Sequence, residues 1–282
     1  MREVELVLGL LLVVAALVSL SRKTVIPYPV LLVAGGLLLA LIPGLPGLRI
    51  RPDLVFLVFL PPLLYWESLT APVRELRANI RPIAMLAIGL VLVNTLLLAA
   101  LAHALMAGIS WPAAFVLGAV LAPTDEVAVT ETAAKFQLPR HTLSVLDGES
   151  LVNDAVSLVA FRMAVAAAAT GLFSLPSAGA QFLLVTGGGA AVGLAVGWLV
   201  GMIRSNIPVD PPVENTIALL TPFAAYLPAD ALGLSGVIAV VAAGLYLGRV
   251  GPRVVSARTR VEARAMWGMI TFLINGILFV LT

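Results

Sequence analysis

Long apolar stretches alternate with short breaks of proline, glycine and charge along almost the whole chain. Ten such stretches cover residues 4–20, 25–43, 54–70, 80–107, 112–134, 142–170, 179–203, 214–228, 233–250 and 265–282. A helix needs roughly 20 predominantly apolar residues to cross a bilayer, so the pattern predicts a membrane-spanning helix for each stretch. The third and eighth are short or interrupted by proline, at Pro61–Pro62 and at Pro222. The fourth and sixth are long enough to tilt or to protrude into water. The fold class predicted is all-α: a polytopic transmembrane bundle of about ten spans in a single domain over 1–282, with no soluble domain.

Composition agrees. The 282 residues are 61% hydrophobic and 11% charged, with a mean hydropathy of +1.08, against about 25% charge in soluble domains. With no cysteine there are neither disulfides nor thiolate metal sites. Two histidines, His103 and His141, are too few for a histidine metal centre. The net charge of +2 gives nucleic acid no reason to bind. Acidic Glu3 and Glu5 precede the run from Leu6 to Leu20, so that run reads as a first transmembrane helix rather than a signal peptide.

The basic residues test the span count. With the N-terminus outside, inner loops hold Arg22, Lys23, Arg74, Arg77, Arg81, Lys135, Arg140, Arg204, Arg249, Arg253, Arg258, Arg260 and Arg264, and outer positions hold Arg2, Arg49 and Arg51. That asymmetry follows the positive-inside rule, and a missed span early in the chain would scramble it. The last stretch, ITFLINGILFVLT, is still apolar at Thr282, which suggests a chain incomplete at its C-terminal end.

Against this background the acids stand out. Asp125, Glu126, Glu131, Asp147, Glu149 and Asp154 fall within thirty residues, among 15 acidic residues in all. A carboxylate at mid-membrane costs roughly 2.5–3.5 kcal/mol on insertion scales and is a functional-site candidate. The fifth and sixth spans are joined by a short polar loop and so form an antiparallel pair. At 1.5 Å per residue, Asp125 and Asp154 both lie roughly 15–20 Å from the inner surface, near the midplane. On the sixth span Ser150 and Asp154 are four apart, as are Glu149 and Asn153, which makes a polar stripe that cannot face lipid. Pro123 interrupts the fifth span beside Thr124 and Asp125 and frees backbone carbonyls. Carboxylate, hydroxyl and carbonyl oxygens suit a hard alkali cation, and Thr124, Asp125, Ser150 and Asp154 supply them.

These motifs resemble the sodium/proton exchanger branch (NhaP/NHE type) of the monovalent cation/proton antiporters. The resemblance runs from Pro61 to Leu281 and is carried by FLPPLLYWESL at 59–69, APTDEVAV at 122–129, LDGESLVNDAVSLVAFR at 146–162, LGLSGVIAVVAAGLYLG at 232–248 and FLINGILFVL at 272–281. It implies an antiporter fold with a broken helix, here lacking about three further helices after residue 282. It implies a membrane transporter, not an enzyme, that exchanges Na⁺ (or K⁺ or Li⁺) for H⁺ and needs no cofactor. Asp154 would be the carboxylate for which proton and cation compete, with Asn153 beside it. Thr124 and Asp125 match the broken helix's Thr-Asp, and Glu149 and Ser150 match the Glu-Ser before the Asn-Asp pair. The Asn-Asp form goes with electroneutral exchange. In the family the residue matched by Glu149 pairs with an arginine that would lie beyond Thr282. A homodimer in the plasma membrane is likewise implied. One departure is Glu126, where the family usually has proline; Pro123 stands two residues before Asp125 and could supply the break instead.

Other readings remain beside these. A buried amide–carboxyl pair such as Asn153–Asp154 also glues helices together. The same scaffold could serve an uncoupled channel or a sensor, or the chain could be an inactive fragment. Glu126, Glu131 and Asp147 read as peripheral. Arg162, inside a span, needs a counter-charge. The glycines at 187–189 in TGGGAAVG sit in an apolar span and read as helix packing, and Trp66, Tyr65 and Trp111 as packing or interface residues.

Overall fold

The computed structural model describes residues 2–24, 26–42, 55–125, 129, 139–170, 175–206 and 210–281. The described residues are helical with short connections. The helices are α1 (Arg2–Ser21), α2 (Tyr28–Ala40), α3 (Leu60–Thr70), the short α4 (Val73–Ala78), α5 (Ile80–Leu105), α6 (Trp111–Leu121), α7 (Arg140–Thr170), α8 (Leu175–Asn206), α9 (Pro211–Ala231), α10 (Gly236–Val254) and α11 (Ala257–Leu281). Each predicted stretch overlaps one of these helices, and α4 is an addition between the third and fourth. Among the described residues, five helical segments are long and apolar enough to cross a membrane by length and composition: Ile80–Leu105, His141–Thr170, Gly179–Asn206, Gly236–Val254 and Ala257–Leu281.

Proline acts differently at its two predicted breaks. Pro61 and Pro62 cannot donate to the carbonyls one turn earlier, and the backbone widens into a π-helical turn over Val55–Phe59 just before them. In α9, by contrast, the helix runs unbroken through Pro222 and Pro228. The eighth span is therefore not interrupted at Pro222 as the sequence suggested. Pro222 is buried against neighbouring helices, and the Thr221 hydroxyl donates to Ile217 O at 2.6 Å, supporting a carbonyl next to the gap.

Small residues set the packing. In α8, Gly189, Gly193 and Gly197 recur every four residues on one face and lie against α10: a Cβ on Gly193 would stand 2.0 Å from Ala239 O, and one on Gly189 2.5 Å from Ser235 O. Only glycine permits so close a backbone approach, so Gly189 and Gly193 of the TGGGAAVG run serve packing, whereas a Cβ on Gly187 would meet nothing within 4 Å. The other face of α10 meets α3, where a Cβ on Gly244 or Gly248 would strike Ser68 or Leu69. Gly233, at φ +71°, turns the chain between α9 and α10 where a side chain would be strained, and Ser235 caps α10 by accepting from Ile238 N. The helices α3, α8, α9 and α10, with Trp267 of α11, thus share one core. Helices α1, α2 and α11 share another, built on Val14, Leu32 and Val280. The third set is α5, α6 and α7, with α5 and α6 in contact at Gly118 against Thr95 O.

Candidate functional site

The polar centre lies where α6 ends. Pro123 has no N–H for the carbonyl of Ala119, so the helix stops at Leu121 and Pro123–Asp125 are non-helical. Two carbonyls of this segment find side-chain donors. Asn94 of α5 donates through Nδ2 to Ala122 O at 3.5 Å, and Asn153 of α7 donates through Nδ2 to Thr124 O at 3.4 Å. The sequence reading carried the fifth span on to residue 134. The structure ends α6 early, and residues 126–128 and 130–138, with Glu126 and Glu131, lie outside the described residues.

Across from the break, the four-residue spacing on α7 does what a helix repeat requires and stacks Glu149 and Asn153 on one face. Thr124 Oγ1 donates to Glu149 Oε1 at 3.1 Å, and Asn153 Nδ2 reaches Thr124 Oγ1 and Glu149 Oε1, each at 2.9 Å. Glu149 is 5% exposed and Asn153 fully buried. A buried carboxylate is tolerable only when donors surround it, and these are charge-assisted bonds. The arginine that the resemblance assigns to Glu149 would lie beyond Thr282; among the described residues Glu149 is met by Thr124 and Asn153, brought to it by the broken end of α6. Asn153 Oδ1 is buried with no hydrogen-bond partner among the described residues, so this centre has an acceptor to spare.

Asp154, the next residue, is turned away by the helical repeat and faces a different space. It lines a cavity of about 190 Å³ with Leu60 of α3, Ala119 and Val120 of α6, Ser157, Leu158 and Phe161 of α7, and Val237 of α10. That volume has room for several waters. The carboxylates of Asp125 and Glu149 lie close enough to act electrostatically on Asp154. Asp125 and Thr124 are exposed, and Ser150 is buried on α7 one turn before Asp154. No group of three or more His, Cys, Asp or Glu side chains converges among the described residues. The oxygens gathered here are instead hydroxyl, amide and carbonyl groups with a few carboxylates, the ligand type that hard cations take.

The remaining charges fall elsewhere. Arg162 finds its counter-charge in Asp230 of α9 at 3.1 Å, with both side chains nearly half exposed, so the pair adds little stability. Asp147 lies nearer the start of α7, where Ser144 donates to Glu75 of α4 and Gly148 admits Leu76 and Ile83. Arg204 was counted among loop cations; it is instead buried and paired with Glu214 at 2.9 Å, across the α8–α9 connection. Sequence reasoning missed Asn94, Glu214 and Asp230. For Asn94 a signal existed: it is an amide in the middle of the apolar run VLVNTLLL.

Residues 9–282 match the family described as sodium/hydrogen exchanger, transmembrane. An uncharacterized Na⁺/H⁺ exchanger of Mycobacterium bovis is 45% identical over 99% of this chain and 52% of its own length. A sodium, potassium, lithium and rubidium/H⁺ antiporter of Bacillus subtilis is 34% identical over 99% of this chain and 43% of its own. The chain thus spans about half the length of the curated relatives it matches. Among solved structures, the sodium proton antiporter of Methanocaldococcus jannaschii at pH 8 superposes with a TM-score of 0.78 at 22% identity, covering 100% of this chain and 70% of that one. At that identity the likeness speaks for the fold.

Proposed function

The chain belongs to the sodium/hydrogen exchanger family, and on that premise we propose that it provides the ion-binding part of a secondary antiporter that exchanges Na⁺, K⁺ or Li⁺ for H⁺ at Asp154. The observation that carries the proposal is the pairing of two environments on adjacent residues of α7. Asn153 is locked to Thr124 and Glu149, while Asp154 faces a cavity between the helices. Asn153 and Thr124 hold the broken segment, and Asp154 stays open to proton or cation. Binding either excludes the other, which couples the two fluxes. Asp125, Thr124 and Ser150 supply further oxygens, and Asn153 Oδ1 is a buried acceptor beside them with no partner among the described residues.

The cavity also lies at a boundary that suits alternating access. Its walls come from α6 and α7 on one side and from α3 and α10 on the other, two sets with separate cores. Displacement of one set past the other would open Asp154 to opposite sides in turn. We further propose one-for-one exchange, a homodimer, a plasma-membrane location and an outside N-terminus. The test is Asp154→Asn in the intact protein reconstituted in liposomes. Loss of cation-dependent proton flux is expected; flux that survives the substitution would overturn the proposal. An uncoupled channel would instead give cation current that follows voltage without proton counterflow.

A further inference from the structure

A second cavity, of about 360 Å³, opens between α1, α2 and α11, away from the ion centre. Its wall carries Arg22 at the end of α1, Tyr28 at the start of α2, and Thr271 and Asn275 on α11, beside apolar Val18 and Phe272. No lining residue is acidic. The Ser21 and Thr271 hydroxyls donate to Val18 O and Trp267 O on their own helices, so the charged and amide donors that face the space are Arg22 and Asn275. Arg22 directly follows the last residue of the apolar helix α1, the kind of position where cation and headgroup meet. Below it the outer faces of α1 and α11 are apolar and exposed at Leu12, Leu20, Met269 and Phe272.

We propose that this cavity binds the headgroup of an anionic phospholipid. The Arg22 guanidinium would hold the phosphate, and the Asn275 amide, about two turns deeper along α11, would donate to a glycerol ester carbonyl. The acyl chains would then lie along the exposed apolar faces. A free phosphate would use Arg22 but gain nothing from Phe272 or the apolar faces; a neutral lipid would gain those but not the charge. An anionic amphiphile satisfies both halves, and basic pockets between spans on the inner side bind such headgroups. Gly268 offers a further handle, because a side chain there meets nothing within 4 Å and would grow into the space rather than into a neighbour.

The test is native mass spectrometry of the intact protein, purified with phosphatidylglycerol and phosphatidylcholine in equal amounts. Preferential retention of phosphatidylglycerol is expected, weakened about fivefold in Arg22→Gln, the factor for losing one membrane-facing cation. Gly268→Leu should lose it too by filling the cavity, whereas Lys23→Gln, outside the lining, should keep it. Equal retention of both lipids, unchanged retention in Arg22→Gln and Gly268→Leu, or displacement by excess inorganic phosphate would each overturn the proposal. Because lipid retention is read without ion flux, its result is independent of the exchange activity proposed above.

Discussion

At the scale of single residues, the centre depends on a few hydrogen bonds made to buried groups. Thr124 both donates to Glu149 and accepts from Asn153, so it bridges the broken end of α6 to α7. Replacing it with valine keeps the shape and removes the bridge; Thr124→Ser keeps the bridge. We expect Thr124→Val to lower the melting point in detergent and to raise the cation KM, with Thr124→Ser close to wild type on both. Asn153→Leu should be worse, because it strips donors from a carboxylate that is 5% exposed; leaving a buried partner unsatisfied costs about 1–3 kcal/mol, and more when it is charged. Thermal unfolding of the two variants side by side checks the order. Asn94 acts at one remove, through Ala122 O. Asn94→Ala should therefore raise KM and leave the maximal rate largely intact. An equal loss in both, unrelieved in Asn94→Gln, would assign it a merely structural role.

At the scale of elements, the break in α6 follows from one missing N–H. Pro123→Ala restores the donor to the carbonyl of Ala119 and lets the helix continue through Thr124. Continuation would rotate Thr124 away from Glu149 and Asn153, so this variant should transport poorly, with flux in liposomes as the readout. The α8–α10 contact makes the opposite case. At Gly193 a Cβ would stand 2.0 Å from Ala239 O, backbone against backbone with no flexible side chain to yield. Gly193→Leu must separate the helices, and we expect loss of folded protein by size-exclusion chromatography. Gly251→Leu, at a glycine with open space around it, serves as the tolerant control.

At the scale of the whole molecule, two ionic arrangements differ in meaning. The Arg204–Glu214 pair is buried, and it puts a cation in the last turn of α8 and an anion in the first turn of α9, each with the favourable helix-end sign. Removing one partner strands a charge, which typically costs about 3–5 kcal/mol, whereas removing both costs less. Arg204→Met with Glu214→Leu should therefore unfold at a higher temperature than either single variant. The transport cycle supplies the other expectation. If proton and cation compete for Asp154, lowering the pH must raise the apparent cation KM and leave the rate at saturating cation unchanged. A pH-independent KM with a falling maximal rate would contradict competition at one group.

Much of this architecture is legible in the chain. Apolar stretches of membrane length predict helices because the bilayer leaves the backbone few other ways to satisfy its hydrogen bonds. Pro123, Glu149, Asn153 and Asp154 declare themselves because polar groups are rare in such stretches, and the spacing on α7 places Glu149 and Asn153 on one face. What the pattern does not contain is the partner across a crossing. Thr124 meets residues 25 and 29 positions away, Arg204 leaves the loop for Glu214, and Asp154 faces α3 and α10 rather than the cluster beside it. The helical repeat sets which residues share a face of one helix. The meeting of two faces is set by backbone approach at Gly118, Gly189, Gly193 and Gly244, a matter of three-dimensional packing that no local periodicity encodes.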